Sequence, residues 1–443
     1  MKAKGVLVGS VVVAFALPAL ATTVNVKELG ASGNGTSDDL PYIQRALSRA
    51  NDSDTLTVVV PAGTYRVSKP LSIYSNTTLQ LEDNAAVVMD DGSMLGVLRA
   101  QHRKASGGNC PMDATCTHGG YTQVRNIKVS GGTWYHRGAS GGDAYVIQIQ
   151  HGEDITLENL SCKGNVRHHF NCSGSKDVVV RNVKFLPSDA HPYVIPSAEA
   201  ELGDMRLREA IHVDFMTSGG ELAYPLDGTP CKDVLIEGCT FDRVIAGVGT
   251  HRHYNADGSA EPVSRLAEHI TVSNCCFNSI LSYAVSMYGF SDSSFVGNRV
   301  ICDHRLGYAP GIRVNGVGSV LVSDNLISNP AWHGMLVESL PGESLTVRAA
   351  RNTIDSPGAC GISMGGSQVV VALDCNTVSN ALSHGFYAVD GATIRASGNA
   401  LAEIGGCALA VYGSGTTLTF SDGMVDTTKA DGVRASPSPS LPC

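Results

Sequence analysis

Every 23 to 27 residues, an apolar alternating run ends at an Asn and a second short apolar run follows. The clearest copies are ITLENLSC around Asn159, VVVRNVKF around Asn182, ITVSNCCF around Asn274, FVGNRVI around Asn298, LVSDNLI around Asn325, VRAARNTI around Asn352, VALDCNTV around Asn376 and IRASGNAL around Asn399. Each follows a strand-like run, among them YVIQIQ, HHFNC, AIHVDF, AVSMYG and GIRVNG. A unit this short cannot bury its apolar face alone, so stacked copies must share one continuous core. The chain therefore predicts an all-β fold, a single-stranded right-handed parallel β-helix with an N-terminal capping helix. Asn tolerates the left-handed turn conformation and can bond its equivalent one coil away, so the repeated Asn predicts a single stitched column. A leucine-rich repeat is the competing architecture, but its Leu-x-x-Leu-x-Leu frame is missing and the interior is mainly Val, Ile, Ala, Cys and Phe.

A globular chain of 443 residues would divide into two or three domains, whereas a solenoid lengthens without dividing. The expected organisation is a signal peptide over 1–21, one β-helix domain over 22–425 and a disordered tail over 426–443. The leader reading rests on Lys2 and Lys4, the apolar stretch from Gly5 to Leu17, and the small-residue site Ala19-Leu20-Ala21. That stretch is too short to span a bilayer and no later segment is long enough, so secretion to a periplasm or the medium is expected. A net charge of −9 argues against a nucleic-acid partner. Of the 13 Cys, most fall inside strand runs (Cys162, Cys172, Cys239, Cys275, Cys302, Cys360, Cys375, Cys407) and are expected as small core residues. Cys110 and Cys116 bracket the loop CPMDATC, where a local disulfide is the expectation and a zinc site the weaker one.

After the leader, Leu40, Ile43, Ala46 and Leu47 recur at helical spacing and predict an amphipathic helix that caps the open end of the solenoid. The segments GASGNGTSDDLPYIQRAL and VVVPAGTYRVSKPL resemble the N-terminal region of the pectate lyase superfamily. That group of parallel β-helix proteins includes polygalacturonases, rhamnogalacturonases and phage tailspikes. Its Gly-Asp-Gly-x-x-Asp-Asp-x-x-x-x-Gln segment is matched here except that Asn34 replaces Asp. The resemblance implies the fold and an extended polysaccharide or oligosaccharide as partner; it does not imply one reaction, because the superfamily hosts hydrolases, lyases, epimerases and binders.

Three insertions interrupt the coils, from about Pro187 to Arg208, Thr217 to Pro230 and His253 to Ala267, and loops on a solenoid commonly wall a functional face. Between them the period-two frame sends Ile211, Val213 and Phe215 inward and His212 and Asp214 outward. Carried to neighbouring strands, it predicts one column reading Gln148, Asn171, His212, Gly249, Ser286, Arg313. The adjacent column reads Gln150, Ser173, Asp214, His251, Tyr288, Asn315, Glu338. A carboxylate beside His can orient and charge it, and a Tyr one coil on can carry a proton. Glu209, Asp214, His251, Tyr288 and Asp227 are thus the candidate catalytic residues. His169, Asn171, His212, Ser286, Arg313, Asn315 and Glu338 are the candidate substrate-binding residues. No metal or other cofactor is expected, and calcium finds no clear acidic motif.

Inverting glycoside hydrolysis needs two carboxyl groups roughly 6.5–9.5 Å apart, which Glu209, Asp214 and Asp227 could supply. The polygalacturonase signatures Asn-Thr-Asp, Asp-Asp, Gly-His-Gly and Arg-Ile-Lys are absent; REAIHVD stands where the first would fall. Hydrolysis of another glycan is the leading expectation. The alternative is a uronate lyase or C5-epimerase, with His251 as base, Tyr288 as acid and Arg313 or Asn315 on the carboxylate, although the Asp-Pro-His-Asp motif of alginate epimerases is missing. A non-catalytic glycan binder is the third reading; it calls for more aromatic rings than the 6% present.

Overall fold

The computed structural model describes residues 21–90, 96–102, 118–140, 144–189, 208–216, 225–250, 267–303, 309–426 and 433–436. Val, Ile, Phe and Leu alternate with polar residues along short runs, and each run becomes a strand that hydrogen-bonds to its equivalent one coil away. Three parallel sheets of 14, 14 and 13 strands result, wound as a parallel β-helix. Inward side chains fall into continuous columns. In the first sheet Leu157, Val180, Ile236, Val272, Phe295 and Val322 pair in succession, and all are buried. In the second sheet Phe185, Phe241 and Phe277 stack with centroids 4.8 and 4.4 Å apart. Each fully buried residue of this size contributes about 1.5–3 kcal/mol of apolar transfer, so stacking supplies the core that a single coil lacks.

The third sheet has one strand fewer than the others because the expected helix, Leu40–Leu47, takes its place in the first coil. Ile43, Ala46 and Leu47 are buried against that end and Leu40 packs beside them. Gln44 then closes the open sheet edge. Its Oε1 accepts from Ser72 N–H at 2.8 Å and its Nε2 donates to Ser72 O at 3.1 Å, covering a backbone pair that would otherwise stand free. Asp39, at the helix N-cap, makes no capping bond; its buried carboxylate instead accepts Ser32 N–H at 2.7 Å and Gly33 N–H at 3.0 Å, tying down the Gly-rich turn.

The predicted single Asn column is two columns, one residue out of step. Asn159, Asn182 and Asn274 sit at a left-handed corner with φ near 55° and are exposed. Asn298, Asn325, Asn352, Asn376 and Asn399 occupy the next position and are buried. There each Oδ1 from Asn325 to Asn399 accepts from both the backbone N–H and the Nδ2 of the preceding Asn. Each Nδ2 also donates to a backbone carbonyl of the coil before. Cys275 and Cys239 continue this column. Cys239 N–H donates to Cys275 Sγ at 3.4 Å, so a thiol stands in for the amide.

Seven of the eight Cys expected in the core are buried, but Cys375 is exposed because it occupies the left-handed corner position, with φ 56°. Cys110 and Cys116 lie outside the described residues, as do nearly all of the expected leader and most of the three insertions. Part of the segment expected to be a disordered tail is ordered: Val433–Ser436 pairs in parallel with Leu409–Tyr412 as the last strand of the third sheet. Among the described residues no helix is long and apolar enough to cross a membrane.

Candidate functional site

The outer face of the third sheet carries the predicted strip in the predicted register. Gln148 pairs with Asn171, Asn171 with His212, His212 with Gly249, Gly249 with Ser286 and Ser286 with Arg313. In the neighbouring column, backbone bonds from His151 N to Ser173 O, Gly174 N to Asp214 O and Gly289 N to Asn315 O hold the same register. Asn315 and Glu338 meet at 3.4 Å. His251 lies outside the described residues. The strip is polar but not open: Asn171, His212, Asp214, Ser286 and the Tyr288 ring are all buried. The expectation of solvent-facing side chains is therefore corrected to a closed polar layer.

Two carboxylates meet a stacked pair of imidazoles, one at each ring. His212 Nε2 lies 3.2 Å from Asp214 Oδ2, while Asp214 Oδ1 accepts from Phe215 N–H at 2.8 Å. On its other side, the His212 ring stacks on His168 with centroids 4.0 Å apart and planes 1° from parallel. His168 Nδ1 is 2.8 Å from the Glu209 carbonyl oxygen and 3.7 Å from its Oε2. The Tyr283 hydroxyl donates to Glu209 Oε1 at 2.5 Å. Burial, followed by the Glu209 charge, pushes the Tyr283 hydroxyl well above its usual 10, so it stays a donor at any physiological pH. A buried carboxylate is costly unless it is compensated, and each of these two has its own set of donors.

Sequence reasoning missed His168 and Tyr283. Strict alternation assigns His168 and Glu209 the parity of Phe170 and Ile211, hence inward. At the corner where each strand begins, that alternation breaks, and the entry positions form a column of their own that includes Tyr145 paired with His168 and Glu209 paired with Ala246. The signal was available as the residue two before the first inward anchor of each strand. His169, chosen instead, turns toward the second sheet: its Nε2 meets Leu186 O at 2.9 Å and its ring lies edge-on to Phe185. Burial lowers its pKa to about 4.

Asp227 is engaged elsewhere. Its carboxylate accepts from Gly120 N–H at 2.8 Å, Thr229 N–H at 2.9 Å and the Thr229 hydroxyl at 2.6 Å. Burial alone would raise its pKa, but these bonds and the neighbouring His151 leave it below the ordinary value. His151 bridges the same segments through Gly120 O and Pro225 O, so this group clamps two loops together. The remaining candidates line the strip. Asn171 Oδ1 accepts Ser173 N–H at 2.9 Å, and Ser286 Oγ donates to Thr250 O at 3.1 Å. Arg313 ends the column with its Nε buried and near enough to the Tyr283 hydroxyl to favour its ionised form.

Residues 23–189 match the family described as rhamnogalacturonase A/epimerase, pectate lyase-like, and residues 264–425 match the right-handed β-helix region. Over 306 residues the chain is 26% identical to the plasmin and fibronectin-binding protein A of Streptococcus pneumoniae; the alignment takes in 63% of this chain and 39% of that protein's length. The structure of the surface protein and adhesin PfbA of S. pneumoniae superposes with a TM-score of 0.64 at 17% identity, over 93% of this chain and all of that one. The α-1,3-glucanase catalytic unit of Streptomyces thermodiastaticus superposes at 0.58 with 14% identity, over 92% of this chain and 69% of that one. These likenesses establish the fold, a right-handed parallel β-helix, and the N-terminal stretch matches a pectate lyase-like family model.

Proposed function

We propose that this pectate lyase-superfamily β-helix is an exported glycoside hydrolase acting on an extended glycan along the outer face of its third sheet. The observation that carries the reading is the pair of buried carboxylates, Glu209 facing His168 and Asp214 facing His212, on the two stacked imidazoles. Glycoside hydrolysis needs one carboxyl group to protonate the leaving oxygen and another to activate water or attack the anomeric carbon. Glu209 is the acid in this reading, its carboxyl group held in place by the Tyr283 hydroxyl. Asp214 is the base, with Phe215 N–H fixing one oxygen and His212 beside the other. In this reading the half-buried Arg313 and Glu338 meet sugar hydroxyls, and the buried Asn171, Ser286, Tyr288 and Asn315 complete the polar strip.

The test is incubation of the mature protein with neutral and uronic polysaccharides, following reducing ends and absorbance near 235 nm together. New reducing ends without absorbance, lost in Asp214→Asn and in Glu209→Gln, support hydrolysis. Absorbance rising with the ends favours the second reading, β-elimination at a uronate, for which Arg313 in the His212 column is the supporting observation. There Arg313 neutralises the carboxylate, His251 removes the C5 proton and Tyr288 protonates the leaving oxygen. Retention of glycan with neither product leaves a binding β-helix, the role that the name of the streptococcal relative suggests, with a protein or glycan partner.

A further inference from the structure

His151 follows Gln150 of the strip and is fully buried at the corner between Tyr145–Gln148 of the third sheet and Gly152–Glu158 of the first. Each of its ring nitrogens faces a carbonyl oxygen: Nδ1 lies 2.7 Å from Gly120 O and Nε2 lies 2.8 Å from Pro225 O. Turning the ring over would put carbon atoms at those distances, well inside the roughly 3.3–3.6 Å of a C–H···O contact. A neutral imidazole has one N–H and one lone pair, so it satisfies one carbonyl and repels the other; two protons satisfy both. We propose that His151 is a proton-operated latch: doubly protonated, it pins residues 118–121 to residues 225–230 beside the candidate site, and on losing one proton it releases them.

The two segments are tied so that they are held or freed together. Asp227 accepts Gly120 N–H at 2.8 Å and Thr229 N–H at 2.9 Å, and its negative charge favours the second proton on the ring. A methyl group on Gly119 would fall 2.4 Å from Asp227 Oδ2 and 2.8 Å from Pro225 Cγ, so the first segment packs directly on the second. The second segment in turn exchanges backbone bonds with the chain just past Asp214: Met216 N–H donates to Thr229 O at 2.9 Å and Gly228 N–H to Met216 O at 2.7 Å. The latch thus closes the side of the strip on which Asp214 lies. Other titratable groups line the same segments. Burial opposes ionisation of Asp227, but its hydrogen bonds and His151 hold it below the ordinary value, so it stays charged above pH 5. The Tyr121 hydroxyl donates to Pro230 O at 3.0 Å; burial, followed by the anionic groups Glu268, Asp233 and Asp227, pushes it up to about 12. Lys176 lies 5.5 Å over the Tyr121 ring and is kept charged by its bond to Glu153. There remain the Cys231 thiol, which donates to Cys172 O and Asp214 O, and His118, which stacks on His102 with centroids 3.5 Å apart and is lowered by burial and then by that ring.

The latch does not depend on the hydrolytic reading, and hydrogen exchange judges it without a substrate. The full chain is exchanged from pH 5 to 9, with rates corrected for intrinsic exchange at each pH, and followed by mass spectrometry on peptides covering residues 118–124 and 225–231. Both peptides should lose protection about 10- to 100-fold in one shared step as pH rises, while Val317–Ser323 stays unchanged. Labelling His with ¹⁵N reads the ring nitrogens directly: His151, identified as the signal that His151→Gln lacks, should carry two N–H protons below that step and one above it. His151→Gln, which does not titrate, should show no step, whereas Cys231→Ser and His118→Gln should keep it. Asp227→Asn retains an acceptor for Gly120 N–H but removes the charge, so it should move the step to lower pH; that shift identifies the His151 signal where the Gln variant does not fold. A flat wild-type profile overturns the proposal, as does a step at which His151 keeps its charge or one that disappears in Cys231→Ser or His118→Gln. Glycan assays judge the hydrolytic reading by product formation, so its failure leaves the exchange step to stand or fall alone.

Discussion

His212 is the residue on which the site turns, because it touches one carboxylate and stacks on the imidazole that faces the other. If Glu209 and Asp214 divide acid and base between them, Glu209→Gln and Asp214→Asn should each lower kcat about 10²- to 10⁴-fold with little change in KM, read by reducing-end assay. Tyr283→Phe takes a donor from a buried carboxylate and should cost about 1–3 kcal/mol of stability by urea denaturation. His212 and Asp214 could be found in the sequence because they lie mid-strand, where alternation holds. His168 and Tyr283 escape alternation, because they lie at corners where the backbone turns, and only their offset of two residues before the first inward anchor marks them.

A further residue-scale prediction concerns pH. Burial lowers His169 and His333 from the ordinary 6.5 to about 4. His333 Nδ1 accepts Cys360 N–H at 3.2 Å, a bond that a proton on that nitrogen would break. The unfolded chain takes up protons at these residues near pH 6.5 and the folded chain only near 4, so within that window the unfolded state holds more protons. Stability should therefore fall as pH drops from about 6.5 to 4, by up to about 1.4 kcal/mol per pH unit for each residue. His333→Gln, which keeps an acceptor but no titration, should flatten the slope of the urea midpoint against pH between 7.5 and 5; an unchanged slope would contradict this.

At the scale of the element, the column of Asn and Cys shows how one position serves successive coils. From Asn298 onward the side chain both accepts from and donates to its neighbours; at Cys239 and Cys275 a thiol does the same with longer contacts, 3.4 Å to the Cys239 N–H and 3.8 Å to Ile236 O. Cys275→Asn should extend the ladder by one rung and stabilise the protein by about 1 kcal/mol. Asn352→Leu should cost about 1–3 kcal/mol, because it strands the Asn325 amide and the Val322 carbonyl in the core. Thermal melts that rank the variants in any other order would refute the equivalence of the rungs. The Asn signal was plain in the sequence, yet its division into a corner set and a buried set was not. The two sets differ by one residue in a turn whose length varies, and only hydrogen bonding tells them apart.

Across the whole molecule, each coil contacts its neighbours and the ends have one neighbour each. The helix Leu40–Leu47 and Gln44 close the N-terminal end of the third sheet, whereas at the other end Thr417–Ser421 is half-buried to exposed along its length. Hydrogen exchange should therefore open Thr417–Ser421 before Val317–Ser323, which lies among central coils. Gln44→Ala should speed exchange at Leu71–Ile73 without changing the central coils, and equal rates at both ends of the solenoid would count against a special N-terminal closure.

The repeat length, the alternation of apolar residues and the amphipathic first helix determined the parallel β-helix, its inward columns and the register of the outer strip, because stacking identical short units leaves one way to bury their apolar faces. Tertiary structure alone decided that the strip is closed rather than open, that Asp227 is a clamp, and that His168 and Tyr283 join Glu209 and His212. Those outcomes depend on where side chains point at the corners and on contacts between distant segments, as between Gly120 and Asp227, 107 residues apart. A period of two along a strand carries no information about either.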